Sequence, residues 1–433
     1  MQISKPLSVN LALLMILALL LLSSCTGNHT PTVQVNFFQT QTAAFNSALQ
    51  TATYAVPSAT NTPVPSHTPT QPFTPTPNPT ATSTAGPPPT LPAAYQPTSL
   101  AKGVKPVTYI KDTCEYLKAR WNPDNAAPGT IVMPIMYHSV TADYRAITED
   151  TQIRHSELEK TLKHAKEVGF QTITTRQLVD FLEKNAKIPQ RSLLLIVDDR
   201  RPGVIKEHFM PFLVDYKWTL TLGWLIGDTD TRPASNLAGE NFKNLWEQIE
   251  AYYATGYLDP QAHGYVHNIN ITESSSPEYI RSELENSRKA LVEHFYCKDP
   301  KTKQAIPNCK TDEPLAYIWA GGSFTKAGVL AARQAGYKVG FTINPRGPIM
   351  YNWIPQADKV DPSSPSWIPE GPAGDPLLTL PRYWSTDAAY RIDDAIQYSK
   401  EASTEAAKNR DAELAYYQYA CENITGKIPG LIP

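Results

Sequence analysis

Ser192-Leu193-Leu194-Leu195-Ile196-Val197-Asp198-Asp199 carries the clearest structural signal in the chain. Leu193 to Val197 is apolar without a break and of strand length, and two acids end it at once. A strand with one wet face would alternate; an unbroken run reads as a strand covered on both sides, as in a parallel sheet packed between helices. Acids that end such a strand sit at its carboxyl edge, where barrel folds carry their chemistry. His263-Gly264-Tyr265-Val266-His267 follows downstream, and Met136-Tyr137-His138-Ser139 closes an earlier apolar run. One carboxylate with two imidazoles makes a facial ligand set for a divalent metal, leaving positions open for water and substrate. The second carboxylate is then free to act as a base on that water. The plain alternatives are a helix cap or solvated loop for the acids and structural roles for the histidines.

Working outward, the pattern alternates. Strands are predicted over residues 131–137, 171–174, 193–197, 219–226, 259–262, 315–319, 339–343 and 377–380. Helices are predicted over 155–168, closed by Gly169, and over 175–183, 204–216 despite Pro211, 242–255, 276–295 and 326–335. A tail helix over 393–419 packs on the rest. This order points to an α/β fold with a mainly parallel sheet. The length from about 101 to 433 suits one (β/α) barrel with insertions, its core about 128–392 and its C-terminal helical part 393–433.

The first hundred residues are of another kind. Residues 1–25 read as a bacterial lipoprotein signal: Lys5, an apolar stretch from Leu11 to Leu22, then Leu22-Ser23-Ser24-Cys25, with cleavage before Cys25 and lipid on its thiol. An ordinary signal peptide is the alternative. Residues 26–100 form a Thr/Pro-rich spacer, as in Thr62-Pro63-Val64-Pro65, that buries too little apolar surface to offset its ordering entropy. Both imply an extracytoplasmic, membrane-anchored protein. The net charge of −2, with no basic run, argues against nucleic acid as a partner. Four further cysteines allow two disulfides in an exported chain. Cys297 with Cys309 would close a small loop, and Cys114 with Cys421 would staple the domain's ends. Reduced, buried thiols are the alternative; a zinc site is disfavoured because no C-x-x-C pair exists.

Several segments now carry a family resemblance. Met133-Pro134-Ile135-Met136-Tyr137-His138-Ser139-Val140, Leu194 to Asp199, Ala262 to His267, Ala316 to Gly322, Gly336 to Asn344 and Leu380-Pro381-Arg382 follow in the order, and at about the spacing, of motifs in the polysaccharide deacetylases. The chain resembles that family (carbohydrate esterase family four) from about residue 131 to 385, as a divergent lipoprotein member. The resemblance implies a distorted (β/α) barrel and a metal-dependent hydrolase that removes N-acetyl groups from a cell-wall or exported polysaccharide. Asp199, His263 and His267 would hold a divalent metal, commonly zinc. Asp198 would be the base for the attacking water, His138 the acid for the leaving amine, and Arg382 the partner that keeps Asp198 ionised.

The chain also departs from the family. Arg200-Arg201-Pro202 follows the acid pair where the family has glycine, and Trp319-Ala320-Gly321-Gly322 replaces "YPYG". Candidate substrate contacts are Tyr137, Arg200, Tyr265, Trp319, Gly321 and Trp384. Aromatic rings can stack on sugars, though lone aromatics more often pack in cores. The departures motivate a rival reading, a glycan-binding lipoprotein on the same scaffold with impaired catalysis. A third is a hydrolase using the same centre on another ester or amide. Oligomeric state is not legible in the sequence.

Overall fold

Among the residues described by the computed structural model (88–266, 269–362 and 367–430), seven parallel strands follow one another around a curled sheet. They are β1 Ile131–Tyr137, β2 Arg191–Asp198, β3 Leu220–Leu225, β4 Leu258–Gly264, β5 Ala316–Ile318, β6 Val339–Phe341 and β7 Tyr383–Trp384. The order is β6-β5-β4-β3-β2-β1-β7, and every pairing is parallel. Gln171–Thr172 adds a short stretch beside the start of β2. Leu380 bridges Phe341 in parallel, and β7, just beyond it, pairs with β1. Residues 380–384 therefore tie the two ends of the sheet together and close the barrel. The leader, Cys25 and the spacer as far as residue 87 lie outside the described residues.

The strand expected over 377–380 lies further on. Pro376–Leu378 is a 3-10 turn, and pairing with β1 begins only at Tyr383. Pro376 fixes its own φ, and Pro381 has no amide to give to a ladder, so the regular strand waits until both are passed.

Helices cover the sheet: α1 His155–Glu167, α2 Thr175–Lys184, α3 Leu245–Tyr253, α4 Pro277–Leu291, α5 Lys326–Gln334 and α6 Ala388–Tyr416. Each of α2 to α5 starts at a polar cap, Thr174, Asn244, Ser276 or Thr325, whose side chain accepts an amide that the first turn leaves unpaired. After β2 the run Pro202–Tyr216 is interrupted by a π turn at Ile205–Phe209, and Pro211 is tolerated in the first turn of the helical piece that follows. The tail helix starts at Ala388, five residues before the expected 393, and Ser399 Oγ donates to the Gly129 carbonyl at 2.6 Å.

Two buried layers sort the strand residues by parity. Ile131, Met133, Ile135 and Tyr137 of β1, with Leu193, Leu195 and Val197 of β2, pack with residues of α1, α3, α4 and α6. Val132, Leu194 and Ile196 join Ala316, Ile318, Val339, Phe341 and Leu380 in the second layer, inside the curl. Each such side chain, fully buried, contributes about 1.5–3 kcal/mol. Continuing the inner parity past the apolar residues leads from Val132 to His138, from Leu194 to Asp198 and from Leu380 to Arg382. The same alternation that builds the core thus delivers chemical side chains to its carboxyl rim.

Candidate active site

Asp198 ends β2 and is 1% exposed. Arg382 Nη1 donates to its two carboxylate oxygens at 2.9 and 2.8 Å, while Arg382 Nε donates to the Thr342 carbonyl at 2.7 Å. Burial pushes the Asp198 carboxyl up, but the charges of Arg382, His263 and His138 and the Arg382 hydrogen bond outweigh it and leave it below the usual range. His138 brings its Nε2 to 3.6 Å from Asp198 Oδ2. Burial lowers the His138 pKa, helped by Arg382 and His263 and opposed by Asp198 and Asp199.

Room for the Asp198 carboxylate comes from a residue that sequence reading passed over. Gly223 of β3 is paired with Asp198, and a Cβ there would stand 2.7 Å from Asp198 Oδ1. The available signal was a lone glycine inside an apolar strand, which often marks close approach of another group.

Asp199 adopts a left-handed backbone, φ 66°, at a cost on the order of 1–2 kcal/mol for a residue other than glycine. The chain reverses there, so the neighbouring carboxylates meet different partners: Asp198 meets Arg382, and Asp199 Oδ1 lies 3.7 Å from His263 Nε2. His263 is 2% exposed, and its Nδ1 is 2.9 Å from the Ile318 carbonyl. A carbonyl only accepts, so in the neutral ring Nδ1 carries the proton, and Nε2 is the ring nitrogen that faces Asp199.

That pair fits a divalent metal. The tautomer is the one a metal ligand needs, and two ligands on a tetrahedral zinc stand about 3.3 Å apart, against the 3.7 Å found here. No group of three such donors is found among the described residues, and the third ligand expected, His267, lies outside them.

The candidate substrate contacts divide. Trp319 is 0% exposed, donates to the Leu378 carbonyl and packs edge-on to Tyr317, so it is a core residue and offers no ring to a sugar. Tyr137 is likewise core, packed edge-on to Phe209 with its hydroxyl buried and unpartnered. Both belong to the outer apolar layer, and nothing in their residue types separates that place from the rim. Tyr265 is partly buried against the outer layer. Gly321 is exposed at φ 57°. Trp384, two residues past Arg382 and paired with Met136, remains partly exposed.

Arg200 turns toward another loop. Its Nη1 lies 3.4 Å from the Leu225 and Ile226 carbonyls and 3.3 Å from Asp228 Oδ1. It packs over Gly227, where any Cβ would collide with it. Because Asp199 itself takes the left-handed turn, position 200 has no need of the glycine that the resemblance would place there. Arg201 is the closer neighbour of the acids, with Nη2 3.4 Å from Asp199 Oδ2.

No family model matches the chain, and no curated protein matches it. Solved structures do. The Streptococcus pyogenes deacetylase PplD, in complex with acetate, is 16% identical over 61% of this chain and 97% of that one, with a TM-score of 0.44. A de-N-acetylase from Aggregatibacter actinomycetemcomitans is 14% identical over 61% and 99%, with a TM-score of 0.43. IcaB from Ammonifex degensii is 17% identical over 63% and 97%, with a TM-score of 0.42.

Proposed function

We propose that this chain is a metal-dependent hydrolase that removes N-acetyl groups from a cell-wall or exported polysaccharide. One arrangement carries the reading: an ionised Asp198 held by Arg382 beside His138, one residue from the carboxylate that faces His263 Nε2. Asp199, His263 and His267 would hold the metal, zinc being suited to such a set. When bound, a divalent metal supplies Lewis acidity, polarising the acetamide carbonyl and lowering the pKa of water.

The chain's own groups handle the proton. Asp198 draws it from the attacking water, and its Oδ2 lies 3.6 Å from His138 Nε2. His138, kept neutral at rest by burial, takes up that proton and delivers it to the leaving nitrogen. A C–O bond forms, the C–N bond breaks, and one proton passes from water to the amine. Arg382 keeps Asp198 charged before attack. Trp384, partly exposed by the site, offers a ring to a sugar face. The Thr/Pro-rich spacer and a lipidated Cys25 would hold the domain outside the cell at a distance from the bilayer.

The test is acetate release from N-acetylated glycan oligomers by the exported domain, with acetylated esters in parallel. Release that stops on chelation and returns with zinc or cobalt is expected. About one metal per chain, lost in His263→Ala, is expected from elemental analysis. Glycan binding without acetate release, with or without metal, would instead favour the binding-protein reading. Asp198→Asn should retain metal and lower kcat on the order of 10²–10⁴-fold.

A further inference from the structure

Glu283 lies on α4 and is 1% exposed. Its two oxygens accept two consecutive backbone amides: Tyr265 N to Oε2 at 2.7 Å and Val266 N to Oε1 at 3.0 Å. Those amides belong to the bend that begins directly after His263 and Gly264. The bend is gripped from its other side too. Ile226 N donates to the Gly264 carbonyl at 3.0 Å, and Gly227 N donates to the Tyr265 carbonyl at 2.6 Å.

A buried carboxylate is a costly anchor unless its lone pairs are used. Ile280, Leu284 and Leu291 line the same buried face of α4, and an apolar residue at 283 would pack there without that cost. What Glu283 adds is a two-point clamp with charge-assisted hydrogen bonds, which fixes both position and orientation of the bend.

We propose that Glu283 is a positioning residue for the metal-facing histidine: by clamping the Tyr265 and Val266 amides, it holds the end of β4 so that His263 Nε2 stays turned to Asp199. The inference rests on the metal-binding reading above. Groups of this kind, one step behind the ligands, change metal affinity when removed, commonly 10–100-fold. Glu283→Gln keeps the shape but turns an NH2 group toward one of the two amides, so one hydrogen bond is lost and donor meets donor. Glu283→Asp keeps the charge but is one methylene short.

The experiment measures zinc affinity by chelator competition, with thermal unfolding of the metal-free proteins alongside. Wild type, Glu283→Gln, Glu283→Asp and Glu285→Gln, an exposed control on the same helix, are compared. The expected result is zinc binding weakened on the order of tenfold or more in Glu283→Gln, partly restored in Glu283→Asp, with the control unchanged. Equal zinc affinity in wild type and in a folded Glu283→Gln would overturn the proposal while leaving the metal reading standing. A wild type that takes up no zinc would overturn both, and the absence of metal in every sample would identify that failure. Should Glu283→Gln not fold, amide exchange in the wild type decides: slow exchange at Tyr265 and Val266 is expected, and fast exchange at both would overturn the clamp.

Discussion

Arg382 and Asp198 are each 1% exposed, so neither charge has water to fall back on. Breaking such a pair by removing one partner commonly costs about 3–5 kcal/mol, because a bare charge is left inside. Arg382→Met should therefore lower unfolding free energy by about that much, measured in denaturant at neutral pH, as well as abolish activity. Gly223→Ala asks a different question. Its methyl would stand 2.7 Å from Asp198 Oδ1 and 2.9 Å from Ile318 Cδ1, so the carboxylate or the strand must move. Overpacking of this kind costs about 1–3 kcal/mol, yet kcat/KM should drop by more than tenfold, since a small shift of a base away from its proton is expensive. A Gly223→Ala protein with wild-type kinetics would show that Asp198 has slack. Trp384→Ala should raise KM with little change in kcat, because a ring that only binds sugar holds ground and transition state alike; a lower kcat at unchanged KM would mean that the ring only packs.

Two arms leave the carboxyl rim and meet again outside it. Ser139–Thr141, directly after His138, pairs in parallel with Gln152–Arg154, which leads into α1 at His155. The other arm passes from Asp199 through Pro202 to the π turn that bears His208. The Nδ1 atoms of His155 and His208 lie 3.0 Å apart, so one donates and the other accepts, and the contact holds only while at least one ring is neutral. Burial and then the charge of His155 lower the His208 pKa, against Glu207 and Asp143, which raise it. A group with a lowered folded pKa binds fewer protons folded than unfolded once pH falls to its ordinary value, near 6.5. Stability held by this contact is thus present above that value and is lost as pH falls from it toward the folded pKa. Unfolding free energy should drop more between about pH 7.5 and pH 5.5 in wild type than in His208→Gln. Identical slopes would mean that His208 titrates alike folded and unfolded.

Across the whole chain, the Cys114–Cys421 disulfide joins residues 307 apart and fastens the helix Thr113–Trp121 to the C-terminal turn. Cys297–Cys309 closes only 12 residues. Loop-closure entropy grows with separation, so losing the first should cost more, about 2–5 kcal/mol, than losing the second. Denaturant titrations of Cys114→Ser with Cys421→Ser, and of Cys297→Ser with Cys309→Ser, check the order. Much of this architecture was legible beforehand. Unbroken apolar runs at 131–137 and 193–197 can only be strands dry on both faces or buried helix, and caps and glycines between them separated the elements. Acids and histidines at the run ends marked the chemical edge. What those runs hide is parity: where both faces are apolar, nothing in the residue types says which side chains point inward. That choice belongs to the neighbours, and only the closed sheet turns His138, Asp198 and Arg382 onto one wall and puts Gly223 opposite Asp198. Tyr137 and Trp319 were misread for the same reason, as rim rings when they are core. Glu283 sits 20 residues from His263, where no local pattern couples them; packing of α4 against β4 does. Periodicity and residue type are local, so they marked most of the strands and the places where chemistry could sit, but not the closing strand beyond Pro381. The tertiary structure alone decided which groups touch, because burial and hydrogen-bond partners are set by segments far apart in the chain.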